Sequence, residues 1–306
     1  MENDNLRRIR GLSSLIGNTP LLAIKFKFRQ RQRMLYAKAE NLNMTGSIKD
    51  RMALHIMEQG YTRRGLKPGD RIIEATSGNT GISIAWLGRQ KGYETHIVMP
   101  DSMSLERRRL LSICGAKLIL TEGKYGMEGA ITTAREMLAK DSRYYMLDQF
   151  TNPGNPMAHY KTTGTEILED FPYDQIDVFV ASIGTGGTFT GAGQRLRERF
   201  PDVKILTVEP NADDPIQGLR NLSTTFIPPV IDMSIIDRQY TVTSQQANDA
   251  TRMLLDSEGI FGGQSSGAVF HQTLEIARQM DEGNIVAVLP DGGWKYLSMG
   301  FWTKDR

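Results

Sequence analysis

The stretch RIIEATSGNTGISIAWLGRQKGYETHIVMP, Arg71 to Pro100, changes its period twice. Arg71 to Ala75 is a short apolar run that reads as a strand. Thr80 to Lys91 reads as a helix, and THIVMP as a second strand. Between the first strand and the helix sits EATSGNTG, a turn built from small and hydroxyl-bearing residues. Strand, glycine-rich turn, helix and strand make one βαβ unit, which requires a parallel pair.

The rhythm continues outward from there. SLERRRLLSICG reads as a helix, AKLILT as a strand, GMEGAITTAREMLAK as a helix and YYML as a short strand. After a turn-rich TNPGNP at 151–156, a helix is predicted over His159 to Glu169. Strand VFVAS, helix TFTGAGQRLRERF and strand KILTVEP follow. Pro210 to Arg238 has weak periodicity and is predicted to be irregular. Strand RQYTV, helices QQANDATRMLLDSEG and AVFHQTLEIARQM, and strand IVAVLP complete the chain. Two rhythmic blocks predict an α/β protein of two open twisted-sheet lobes with helices on both faces, joined near residue 150. The basic run KFKFRQRQR, Lys25 to Arg33, alternates like a surface strand or hairpin; its charges blunt an edge or form a docking patch.

Composition narrows the function classes. The chain has 306 residues, 40% hydrophobic and 24% charged, with a formal net charge of +2. That is enough for a large core, and it calls for neither nucleic acid nor an anionic membrane. No segment stays apolar for the roughly eighteen residues a spanning helix needs. The start, MENDNLRRIRG, carries acids and no apolar run, so no secretion signal is expected. The single cysteine, Cys114, lies among apolar residues and reads as a small core residue in a reducing cytoplasm. His55, His96, His159 and His271 are scattered, and no metal site is expected.

NMTGSIKDR, Asn43 to Arg51, introduces chemistry. Thr45-Gly46-Ser47 reads as a turn and Ser47 as the N-cap of the helix that follows. Lys49 then sits in the first turn, where the positive helix end disfavours a cation. One reading is a plain surface charge; the other is an amine used neutral or converted to an imine. Three glycine-rich turns precede helices: EATSGNTG, ASIGTGGTFTG at 181–191 and GGQSSGAV at 262–269. Such turns present backbone N–H groups that hold anions. The second resembles a dinucleotide fingerprint, with Glu209 placed as a ribose partner. Gly184 and Gly186 fit, but the third glycine position is Phe189. Gly187, with the hydroxyls of Thr185 and Thr188, suits a terminal phosphate better. The first turn lacks a Walker lysine and suits a small carboxylate. A phosphate cup, a carboxylate cup and a lysine that prefers to lose its charge describe an amino acid joined to a phosphate-bearing aldehyde cofactor.

GSIKDR, EATSGNTGI, DQFTNPGNP, GTGGTFTG, EP followed by GLR, GGQSSGA and LPDGGWKYLS together resemble the cysteine synthase (O-acetylserine sulfhydrylase) branch, B or M type. That branch belongs to the tryptophan synthase β-like, fold type II pyridoxal-phosphate enzymes, and the likeness runs from IGNTPLL at 16–22 nearly to the end. It implies pyridoxal 5'-phosphate as cofactor and Lys49 as the Schiff-base lysine and Cα base. It implies Asn79 as partner of the ring hydroxyl oxygen, and Gly184, Thr185, Gly186, Gly187 and Thr188 as the phosphate cup. Thr76, Ser77, Thr80 and Gln149 would bind the substrate carboxylate. Ser265 would meet the pyridine nitrogen; read without the family, Ser265 and Ser266 are helix caps. A hydroxyl there does not stabilise a protonated ring as a carboxylate would, which favours elimination at Cβ over transamination.

The implied reaction is replacement of the acetate of O-acetylserine by sulfide or thiosulfate. Arg220, in GLRNL, resembles an arginine that meets the phosphate of O-phosphoserine in other members. DGGWKYLSMG resembles the branch fed by a thiocarboxylated sulfur-carrier protein. Met44 departs from the proline or glycine common in relatives and loosens the backbone slightly. Cystathionine β-synthase, an NAD-dependent oxidoreductase and a non-catalytic ligand-binding protein are the rival readings. The resemblance further implies a homodimer, a smaller mobile lobe over 45–150 that binds the substrate carboxylate, and a larger lobe of 1–44 plus 151–306.

Overall fold

The computed structural model describes residues 11–28, 31–103 and 105–302. The opening MENDNLRRIR, where no secretion signal is expected, and residues 29–30 of the basic run lie outside them. In chain order the strands are β1 (Leu21–Phe28), β2 (Arg31–Ala39), β3 (Arg71–Ala75), β4 (Glu94–Pro100) and β5 (Lys117–Thr121). There follow β6 (Tyr144–Met146), β7 (Val178–Ser182), β8 (Lys204–Pro210), β9 (Arg238–Val242) and β10 (Ile285–Leu289). The helices are α1 (Lys49–Arg64), α2 (Asn79–Lys91), α3 (Leu105–Ile113), α4 (Gly126–Lys140) and α5 (Gly154–His159). The last four are α6 (Thr165–Asp170), α7 (Gly187–Arg199), α8 (Ser244–Glu258) and α9 (Gln264–Gln279).

The chain divides into two compact units, one of residues 11–17 and 49–154, the other of 18–48 and 155–302. Residues 11–17 thus cluster with the first unit, whereas the resemblance groups them with the second. The first unit carries a parallel sheet in the order β5-β4-β3-β6. Ile73, Ala75 and Val98 pack on Ala130 and Ala134 of α4. Ile97, whose side chain alternates to the opposite face, meets α2 at Gly81.

The second unit has a six-stranded sheet, β1-β2-β10-β7-β8-β9, parallel except for the antiparallel β1–β2 hairpin. Strand β7 shows why its sequence, VFVAS, is unbroken apolar. Phe179 and Ala181 join Phe189 and Leu196 of α7 in one core, while Val178 and Val180 join Ala268, Val269 and Ile276 of α9 in another. Both faces are covered, so neither residue parity is polar. The hairpin expected from KFKF is present, with Lys25 and Lys27 exposed on edge strand β1. Cys114 is buried and accepts from Trp86 Nε1 at 2.8 Å.

Two expectations shift. The helix predicted from His159 begins at Gly154, because Asn152 Oδ1 accepts from Gly154 N at 2.8 Å and Pro156 suits a first turn. It widens into a π turn over Tyr160–Gly164 before α6. Helix α9 starts at Gln264, four residues earlier than the apolar pattern indicates.

Candidate active site

In each sheet a predicted site turn leaves the carboxyl end of a parallel strand, where open α/β sheets bind ligands. In the first unit Thr76 follows β3 and Gln149 lies beyond β6. Thr80 Oγ1 donates to Gln149 Oε1 at 2.7 Å, and Gly78 N donates to Thr76 Oγ1 at 3.3 Å. Thr76, Thr80 and Gln149 are buried; Ser77 and Asn79 are half-buried. An amide whose oxygen accepts from Thr80 offers its N–H groups elsewhere, which suits a carboxylate.

Glu74 of β3 holds this arrangement from below. Fully buried, it accepts from Asp148 N at 2.8 Å and Gln149 N at 3.3 Å. Burial pushes its carboxyl up to about 8, against the opposing pull of these backbone donors.

Lys49 is half-buried and heads α1. Its neighbour Asp50 is fully buried and accepts from Ser83 Oγ at 2.5 Å; the same hydroxyl lies 3.0 Å from the carbonyl oxygen of Asn79. The first turns of α1 and α2, bearing Lys49 and Asn79, are therefore fastened to one another. Ser47 does not cap α1. It lies on the extended segment bridged to Asp291, and its Oγ is buried with no hydrogen-bond partner.

In the second unit the 184–188 turn follows β7, and Asp291 follows the neighbouring β10. Gly186 has φ +89°, and a Cβ there would stand 2.1 Å from Ile231 Cγ1. A Cβ on Gly187 would stand 2.0 Å from Asn155 Oδ1. Asn155 Nδ2 in turn donates to Thr185 Oγ1 at 3.0 Å. Only backbone fits here, and it opens α7, whose first N–H groups lack intrahelical partners. A phosphate monoester matches such a cup: N–H donors, a helix start and the hydroxyls of Thr185 and Thr188. The residues present therefore fit the phosphate of pyridoxal phosphate. Glu209, the would-be ribose partner, instead accepts from Leu222 N at 2.9 Å.

Ser265 and Ser266 are not caps. The cap of α9 is Gly263, and both serines lie in the first turn. Ser265 Oγ donates to Asp291 Oδ1 at 3.2 Å and Ser266 Oγ to the Asp291 carbonyl at 2.9 Å. Arg220 N donates to Ile183 O at 2.8 Å, so the backbone of Arg220 adjoins the cup. Its guanidinium lies 4.3 Å from the centroid of the Phe226 ring and donates to Phe226 O at 3.4 Å. Burial lowers its pKa from the ordinary arginine value.

Sequence reasoning missed Glu74, Asp50, Ser83, Asn155 and Asp291. Only Glu74 left a mark, as an acid inside a strand that is otherwise apolar after Arg71.

Residues 12–291 match the family described as pyridoxal-phosphate dependent enzyme. The chain is 38% identical over 305 residues to a cysteine synthase of Staphylococcus aureus, covering 97% of this chain and 98% of that relative. A solved O-ureido-L-serine synthase superposes with TM-score 0.89 at 38% identity, covering 96% of this chain and 95% of its own. The cysteine synthase of Entamoeba histolytica gives TM-score 0.90 at 34% identity, covering 100% of this chain and 94% of its own.

Proposed function

We propose that this chain, which belongs to the pyridoxal-phosphate dependent enzymes and is a cysteine synthase-type enzyme among them, converts O-acetyl-L-serine and sulfide to L-cysteine and acetate. The observation that carries the choice of acetylserine is the state of Arg220. Its guanidinium is engaged by the ring and carbonyl of Phe226, and an acetyl ester needs no cationic partner.

Pyridoxal phosphate, when bound, supplies an aldehyde that takes up amino groups and a ring that draws electrons from Cα. The protein's residues do the rest. Lys49 would hold the aldehyde end when no substrate is present, and its Nζ would take the Cα proton and return it at the end. Thr76, Ser77, Thr80 and Gln149 bind and orient the substrate carboxylate. Asn79 would face the ring hydroxyl oxygen, Gly184 to Thr188 would hold the phosphate, and Ser265 would face the ring nitrogen. Acetate leaves Cβ and the sulfur of sulfide bonds there to give L-cysteine; thiosulfate, bonding through its outer sulfur, would give S-sulfo-L-cysteine. The same reading makes the working form a cytoplasmic homodimer.

A second reading, O-phosphoserine with sulfide or a thiocarboxylated carrier protein, is favoured by one observation. The Arg220 backbone adjoins Ile183 at the cup, and a guanidinium freed from Phe226 would bind phosphate bidentately. Purified protein given each ester at equal concentration, with sulfide, separates them by acetate, phosphate and cysteine release. Turnover of acetylserine, retained in Arg220→Ala, is the expected result. Turnover of phosphoserine alone, lost in Arg220→Ala, moves the assignment to the second reading. Turnover of neither sinks both.

A further inference from the structure

Asn155 is a buried amide that the reaction as proposed leaves without a role. It is 1% exposed and stands second in α5. Its Nδ2 donates to Thr185 Oγ1 at 3.0 Å. A Cβ on Gly187 would stand 2.0 Å from its Oδ1, 2.5 Å from its Cγ and 2.9 Å from its Nδ2, so the amide lies against the start of α7. The backbone that carries it is fixed as well. A Cβ on Gly191 would stand 1.9 Å from Pro156 O and 2.8 Å from Tyr160 N, and one on Gly164 3.1 Å from Ala192 Cα. Residues 156–164 therefore lie directly on α7, and the Asn155 amide has no room to swing away from Thr185.

A threonine hydroxyl accepts through two lone pairs and has one proton to give. Asn155 fills one lone pair, and an amide N–H cannot take the proton in return. Thr185 is itself buried, and among the described residues no group accepts that proton. A phosphate oxygen is an acceptor, so a hydroxyl serves it only as a donor. A freely rotating hydroxyl would spend part of its time turned the wrong way. One held from behind by an amide N–H keeps its proton forward, and linked hydrogen bonds strengthen one another where water is excluded.

We propose that Asn155 is a positioning residue: it fixes the Thr185 hydroxyl as a donor and so sets how tightly the 184–188 cup holds the cofactor's phosphate. The proposal rests on the reading of that turn as the phosphate cup. Three substitutions isolate the hydrogen bond. Asn155→Asp keeps the shape against Gly187 but reverses the bond, since a carboxylate takes the Thr185 proton for itself. Asn155→Ala removes the amide, and Thr185→Val removes the hydroxyl at nearly constant size.

Phosphorus NMR of the holoprotein reads the surroundings of the cofactor phosphate. Titration of the cofactor-stripped full chain with pyridoxal 5'-phosphate gives the dissociation constant. Asn155→Asp, Asn155→Ala and Thr185→Val are each expected to shift the resonance and to weaken binding about tenfold or more, as for one hydrogen bond to a charged group. The far-ultraviolet spectrum should not change. Added to Thr185→Val, Asn155→Ala is expected to cause no further loss. A further loss comparable to that in the wild type would mean that Asn155 acts through Gly187 instead, and overturns the proposal. If Thr185→Val moves both readouts and the Asn155 variants move neither, the cup stands and the proposal is overturned. If none of the three moves either, the reading of the cup falls and takes the proposal with it. Failure of both Asn155 variants to fold would make Asn155 part of the scaffold alone, and overturns it too.

Discussion

The two glycine-rich turns share one design, strand then turn then helix, yet they are built in opposite ways. At 76–80 the organised polar atoms are side chains: Thr80 is bonded to Gln149, and Glu74 beneath holds the backbone of Gln149. The glycine in that turn is unconstrained, since a Cβ on Gly78 would meet nothing within 4 Å and its φ is −123°. At 184–188 the turn leaves room for backbone alone, with Gly186 and Gly187 walled by Ile231 and Asn155. The difference matches what each turn is proposed to bind. A phosphate that stays is served by fixed N–H groups, whereas a carboxylate that comes and goes is served by side chains with a supporting layer behind them.

The contrast breaks most visibly, if it breaks, at Gly186. Gly186→Ala combines a left-handed backbone with a clash at Ile231, and should destabilise the protein by about 2–4 kcal/mol. It should also purify without the visible absorbance of bound cofactor. Full cofactor content would show that the turn does not hold the phosphate.

Thr80→Val comes next. It removes the hydroxyl from which the buried Gln149 oxygen accepts, which costs about 1–3 kcal/mol. The KM for the amino-acid substrate should rise about tenfold, on that scale, with cofactor content unchanged. Cofactor loss instead would erase the distinction between the turns.

Glu74→Gln sharpens the comparison through pH. The folded-state carboxyl is held at about 8 against an ordinary 4.5, so the folded protein keeps a proton that the unfolded chain releases. Its contribution to stability is full below about 4.5 and is lost as pH rises through about 8. The melting temperature should fall over that window in the wild type and fall less steeply in Glu74→Gln. Parallel profiles would remove Glu74 from the account.

The smallest effect belongs to Gly78→Ala. Open space and an extended φ predict a stability change within about 0.5 kcal/mol. A loss as large as that of Gly186→Ala, in the same thermal melts, would make the two turns alike after all.

Much of this was legible along the chain. Strands β3, β7, β8 and β9 coincide with their apolar runs, because a strand's period is a local property. The tight backbone of the 184–188 turn was also legible, because a helix start crowded with glycine leaves little room for side chains. The errors were local readings of polar residues. Ser47, Ser265 and Ser266 each suit a helix cap by type, and none is one.

The sequence by itself determined the α/β class, the order of elements, the two glycine-rich turns that open helices and the lysine ahead of the first of them. These depend on periodicity and backbone sterics, which neighbouring residues set. The tertiary structure alone decided which acceptor each hydroxyl found: Asp291 for Ser265 across 26 positions, and Gln149 for Thr80 across 69. The Thr80 pairing follows from β6 lying beside β3, and the Ser265 pairing from α9 packing back along β10. A polar side chain takes whatever partner the sheet order places within reach, and buried groups cannot fall back on water.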